Sequence, residues 1–160
     1  MRRFIRRKPP DTDCIDGGVR HYVDENLPKK IQSAEITYFS CKFSSMDRSM
    51  QDTPIAGQVF TLIATADSCT CKIRDREMQT VSETFTPDQD FMRRLQELVV
   101  RYDMAQKNGQ YYSVSGLPPD FGIDLEVRYA SGERIRIYDN QSCFLSNAAM
   151  EELTALFQQQ

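Results

Sequence analysis

Cys69 and Cys71 are the closest approach in this chain to a metal or redox motif. On a β-strand, residues i and i+2 point the same way, so both thiols can reach one zinc or copper ion. A structural zinc site needs four ligands, and no second closely spaced Cys or His pair exists. Completing a site would require the fold to bring in Cys41 and Cys143. The competing reading is small apolar filling on the core face, which is how free cysteine is usually used, and we prefer it. Asp120, Asp124, Glu126 and Asp139 lie near or on a second hairpin. Paired acids ~5–10 Å apart in a cleft can hydrolyse a glycoside. Glu126, however, alternates with apolar residues and belongs on a solvated sheet face. His21 is the one histidine. It sits in a segment without periodicity, whereas Ser-His or Cys-His catalysis needs a base held within ~2.6–3.2 Å of its nucleophile. The seven glycines are scattered and form no phosphate-cradling loop. No cofactor is expected.

Recognition without catalysis has better candidates. Gln110-Tyr111-Tyr112 and Asp120-Phe121-Gly122 fall in a stretch expected as a long loop over residues 109–122, with a short strand or turn at Tyr111-Tyr112. Tyrosine gives large contact area with a polar handle, so Tyr111, Tyr112, Asp120 and Phe121 are the predicted binding residues. A second candidate is the start of the chain, where Arg2, Arg3, Arg6, Arg7 and Lys8 accompany Phe4 and Ile5. That arm can touch an anionic membrane surface or nucleic acid, each cation being worth ~1 kcal/mol at best.

The elements that must position these residues are legible from alternation and caps. Residues 35–43 read as a strand with Phe39, Cys41 and Phe43 on one face. A connecting loop over 44–57 leads to a second strand over 59–66 and a third over 69–74, with a short edge strand over 81–85. Cys69, Cys71 and Ile73 face the core there, while Thr70, Lys72 and Arg74 face away. The first helix is predicted to begin with Thr86 as N-cap, Pro87 in the first position and Gln89 closing a capping box. Phe91, Leu95, Leu98, Val99 and Tyr102 make its apolar stripe, and it ends between Tyr102 and Asn108-Gly109. Alternation at Leu125, Val127 and Tyr129, then at Ile135 and Ile137, predicts a hairpin with an odd-numbered loop around Gly132. Opposing Tyr129 to Ile135 would put both apolar sets on one face. Ser146 caps the second helix, whose Met150, Leu153, Leu156 and Phe157 are its buried stripe.

The predicted fold is therefore α+β: a four- to five-stranded, mostly antiparallel sheet with two helices on one face, in ββα-ββα-like order. Residues 1–30 are expected as a flexible arm and 31–160 as a single domain. Net charge over the 160 residues is −3, and because the first eight carry +5, residues 9–160 stand at −8. Such an acidic body argues against a broad nucleic-acid-binding face. No stretch reaches the ~18–20 apolar residues of a membrane span, and Pro9, Pro10 and Asp11 stand where a signal peptide would place its apolar region. The five cysteines, Cys14, Cys41, Cys69, Cys71 and Cys143, suggest no disulfide framework. A cytoplasmic protein with reduced thiols is expected, with export or lipid anchoring as the alternative if the natural N-terminus lies upstream.

Several turn and packing motifs recur together in bacterial sequences: Tyr102-Asp103, Asn108-Gly109-Gln110-Tyr111-Tyr112, Gly116-Leu117-Pro118, Tyr129-Ala130-Ser131-Gly132-Glu133 and Tyr138-Asp139-Asn140. On these, the segment from about Ser33 to Phe157 resembles a bacterial α+β domain family of repeated hairpin–helix units. The resemblance implies fold and brings no activity, cofactor or catalytic residue, although such families often look exported or lipid-anchored. The functional expectation is a non-enzymatic module that binds a protein or peptide through its sheet face or the 111–121 loop. The alternative is a small hydrolase or metal-dependent enzyme using Asp120, Asp124, Asp139 or the Cys69/Cys71 pair.

Overall fold

In the computed structural model, which describes residues 18–45, 57–117 and 121–158, the chain forms ten elements. These are β1 (Val19–Val23), β2 (Ile36–Ser44), β3 (Val59–Ala64), β4 (Cys69–Arg74), β5 (Thr80–Phe85), α1 (Phe91–Arg101), β6 (Gln110–Val114), β7 (Ile123–Tyr129), β8 (Arg134–Asp139) and α2 (Asn147–Gln158). All eight strands join one sheet in the order β1-β6-β8-β7-β2-β3-β4-β5. Neighbours are antiparallel except β6 and β8, which run parallel.

This corrects the expected four- to five-stranded, mostly antiparallel sheet: the sheet is eight-stranded and mixed, within an α+β fold. Two strands account for most of the difference. β1 forms inside the segment expected as an arm, and β6 extends to Gln110–Val114 the short strand or turn expected at Tyr111-Tyr112. Neither carries the apolar alternation that marks a core strand. Cross-strand ring stacking holds them together instead, His21 on Tyr112 at 4.4 Å and Tyr22 on Tyr111 at 5.0 Å.

The core lies between one face of the sheet and both helices. Phe39, Cys41 and Phe43 of β2, Phe60 and Leu62 of β3, Cys69 and Cys71 of β4, and the apolar residues of β7 and β8 supply the sheet side. Phe157 of α2 sits at the centre, 1% exposed, 5.9 Å from the Phe39 ring and 5.2 Å from Phe91 of α1. A second tie joins the helices at the surface, where Glu152 accepts hydrogen bonds from the Tyr102 hydroxyl and Arg101, both at 2.6 Å.

The helix stripes fall where the sequence places them, but the first cap does not. α1 starts at Phe91 with Asp90 as N-cap and no side-chain capping bond, four residues later than the Thr86 box predicts. Asp88 instead closes a local turn, accepting from the Asp90 N–H at 2.9 Å and pairing with Arg94. At the other end Asp103 takes the left-handed conformation with φ 46°. α2 begins as expected, with Ser146 Oγ accepting from the Ala149 N–H at 3.1 Å.

Buried asparagines fasten the edge of the sheet. Asn108 donates through Nδ2 to the carbonyls of Pro28 and Arg134, each at 2.8 Å, and accepts from the Arg136 N–H at 2.8 Å. Asn140 pairs its side-chain amide with both backbone groups of Val114, at 2.8 and 2.9 Å, and so extends the β6–β8 ladder. Gly122 lets β7 start against the end of β8: a Cβ there would lie 1.8 Å from the Asp139 carbonyl oxygen, and its φ is 75°.

Candidate functional site

Strand alternation gives the sheet a second face, opposite both helices. Register places one row across all eight strands: Tyr22, Tyr111, Tyr138, Asp124, Lys42, Thr61, Lys72 and Ser82. The first three form a ladder of stacked rings, Tyr22 to Tyr111 to Tyr138, with centroids 5.0 Å apart at each step. Tyr22, at the edge, is 55% exposed. Flanking rows bring Arg20, Arg74, Arg128, Arg134 and Arg136 onto the same face, together with Glu126, Tyr38 and Ser40.

The charge on this face is one-sided. Among the described residues, seven cations, Arg20, Lys42, Lys72, Arg74, Arg128, Arg134 and Arg136, and two carboxylates, Asp124 and Glu126, lie on it. Each of those acids is already engaged. Asp124 accepts from Arg136, and Glu126 accepts from Arg128 Nε at 2.7 Å. The Arg128 guanidinium also lies 4.6 Å above the Tyr38 ring, and Glu126 raises it above the ordinary arginine range, chiefly through their hydrogen bond. Arg136 donates in addition to the carbonyls of Leu125 and Ile137 at 3.2 Å, which fixes its head on the sheet.

The predicted binding residues divide. Tyr111 belongs to the open face, while Tyr112 points to the other side and stacks on His21. Both lie on β6, where a short strand or turn was expected. Phe121 is 40% exposed beside the start of β7, and Asp120 lies outside the described residues, as do Arg2, Arg3, Arg6, Arg7 and Lys8. Tyr22, Tyr138 and the cations of β2, β4, β7 and β8 were not among the predicted binding residues. Alternation within each strand marks them as facing away from the core, but only the strand order gathers them into one surface.

The residues considered for catalysis are kept apart. Asp124 pairs across β7 and β8 with Tyr138, whereas Asp139 pairs with Ile123, so the two carboxylates leave the sheet on opposite sides. Asp139 is buried and spent on a turn, accepting from the Gln141 and Ser142 N–H groups and from the Gln110 amide. Cys69 and Cys71 lie on the core face, where burial pushes their thiols up to about 12 and about 11. Burial likewise raises Cys41, and Cys143 is pushed up to about 12. A protonated thiol is a poor nucleophile and a poor ligand. Among the described residues no cluster of three or more His, Cys, Asp or Glu side chains could hold a metal ion. Two surface grooves, of about 260 Å³ beside Lys29 and Asp103 and about 280 Å³ between α1 and α2, are lined by none of Asp124, Asp139, Cys69 and Cys71.

No helix among the described residues is long and apolar enough to cross a membrane. No family model, curated protein or solved structure matches the chain.

Proposed function

We propose that this protein is a non-enzymatic module that binds a protein or peptide on the open face of its sheet. The observation that carries the reading is the composition of that face among the described residues: a three-tyrosine ladder beside arginines and lysines of five strands, all on the side away from the helices. Broad, flat surfaces with aromatic and arginine side chains suit macromolecular contact, whereas small-molecule chemistry needs a concave site where polar groups converge. The separation of Asp124 from Asp139 and the burial of Cys69 and Cys71 supply no such convergence.

The test is affinity capture from the native cell by the immobilised protein, compared with a Tyr111→Ser, Tyr138→Ser variant. A partner retained by the first and lost from the second supports the reading. Equal retention by both, or turnover in a hydrolase panel that Asp124→Asn abolishes, overturns it.

A further inference from the structure

We infer that the groove of about 260 Å³ beside Lys29 and Asp103 binds a free amino acid with an apolar side chain, at a site independent of the open face. The segment 29–32, which leads towards β2, borders it together with one side of α1 and the joined ends of β7 and β8. On α1, Gln96, Val99 and Val100 fall at i, i+3 and i+4 and so form one strip along the groove. Val99, Ala105, Tyr129 and Ile135 are buried and give it an apolar wall. Its volume lies just under the ~300–1,000 Å³ of sites for drug-sized ligands, which suits a molecule of amino-acid size.

The polar groups set the rest of the ligand. Gln96 Oε1 is buried and has no hydrogen-bond donor among the described residues. Turning the amide over would bury an unpaired donor in its place. Folded chains leave few buried polar groups unmatched, so this acceptor calls for an N–H from outside the fold. At the rim, Asp103 and Lys30 are exposed, and neither has an ion-pair partner among the described residues. Lys29, by contrast, already donates to the Asn108 carbonyl. An α-ammonium group meets Gln96 Oε1 and Asp103, an α-carboxylate meets Lys30, and an apolar side chain covers the wall. A purely apolar compound would leave Gln96 unmet, and a simple anion or cation would use only one of the two rim charges.

The experiment titrates the isotope-labelled full chain with L-leucine and L-phenylalanine, each to about 10 mM, and follows backbone amide shifts by NMR. Saturable shifts at Gln96, Val100, Asp103 and Tyr129 are expected for at least one of them, with Kd below about 1 mM. The matching amine and carboxylic acid, each lacking one charged group, should bind at least ~10-fold more weakly. Gln96→Leu should weaken binding at least ~10-fold while the free protein melts no lower, because the change removes an unpaired acceptor. Lys30→Glu, at an exposed position, should weaken it to a similar degree, and Lys72→Glu on the open face should leave it within about twofold. No saturable shift with either amino acid, saturable shifts elsewhere on the molecule, undiminished binding in either groove variant, loss of binding in Lys72→Glu, or equal binding of the amine or the acid would overturn the assignment. A lower melting temperature for Gln96→Leu would do so as well, since the amide would then already be satisfied within the fold.

Discussion

Replacing Asn108 by Ala should be among the most damaging single changes outside the apolar core. The Asn108 side chain is fully buried and serves three backbone groups: the Pro28 and Arg134 carbonyls and the Arg136 N–H. Alanine removes all three partners while keeping the backbone, whose carbonyl accepts from Lys29. A buried polar group left unpaired costs ~1–3 kcal/mol. Taking the low end for the two carbonyls, which retain other lone pairs, and the middle for the N–H gives about 3–5 kcal/mol. That is a large part of a domain stability of ~5–15 kcal/mol. With a urea dependence of about 2 kcal/mol per molar, the unfolding midpoint should fall by roughly 1.5–2.5 M with the slope unchanged. Urea titration followed by circular dichroism measures this, with the exposed neighbour Lys107→Ala as a control near zero. A fall below about 0.5 M would refute the reasoning, because it would mean that water or rearranged backbone replaces every lost partner.

Other perturbations probe separate parts of the structure. Phe157→Ala empties the centre of the core between Phe39 and Phe91 and should cost ~3–5 kcal/mol in the same titration. The Cys69, Cys71 and Cys143 thiols stay protonated in the fold up to about 11–12, against an ordinary 9.0 when unfolded. Their contribution to stability is thus complete below pH 9.0 and lost as pH rises towards that range, and peptide-resolved alkylation should find them unreactive until the protein unfolds. Glu133 behaves oppositely. Backbone and side-chain hydrogen bonds from Gln32, Ser131 and Ser33 hold its carboxyl below the usual range, so the tether it makes is present at neutral pH and lost as pH falls through that lowered value. Glu133→Gln should speed amide exchange at Gln32 and Ser33 at neutral pH and flatten its acid dependence.

What could be read from the sequence was local. The stripes of both helices, the Ser146 cap and the faces of β2, β4, β7 and β8 follow from periods of 3.6 and 2, and the structure places them so. The loop around Gly132 is odd-numbered as expected, but Val127 rather than Tyr129 opposes Ile135, because Tyr129 pairs with Glu133 across a three-residue loop. In place of the Thr86 capping box, Asp88 accepts from the Asp90 N–H and closes its own turn ahead of the helix. β1 was missed, and β6 was read as no more than a short strand or turn at Tyr111-Tyr112, for a different reason. Their stability comes from stacking on each other and on Tyr138, a non-local arrangement that leaves no apolar pattern in either strand. The open face depends on the same non-local order, since each strand reveals its own outward residues and none reveals its neighbours. Net charge, being an average over the chain, carries no sign of how charges are distributed between the two faces.

The most direct test of that face as the working surface is a two-dimensional NMR titration of the isotope-labelled protein with the partner that affinity capture recovers. The account predicts the largest shift changes at Tyr111, Tyr138, Lys42, Thr61 and Lys72, with the α1–α2 side unchanged. Shifts confined to the groove between the helices, or to the one beside Lys29 and Asp103, would contradict it.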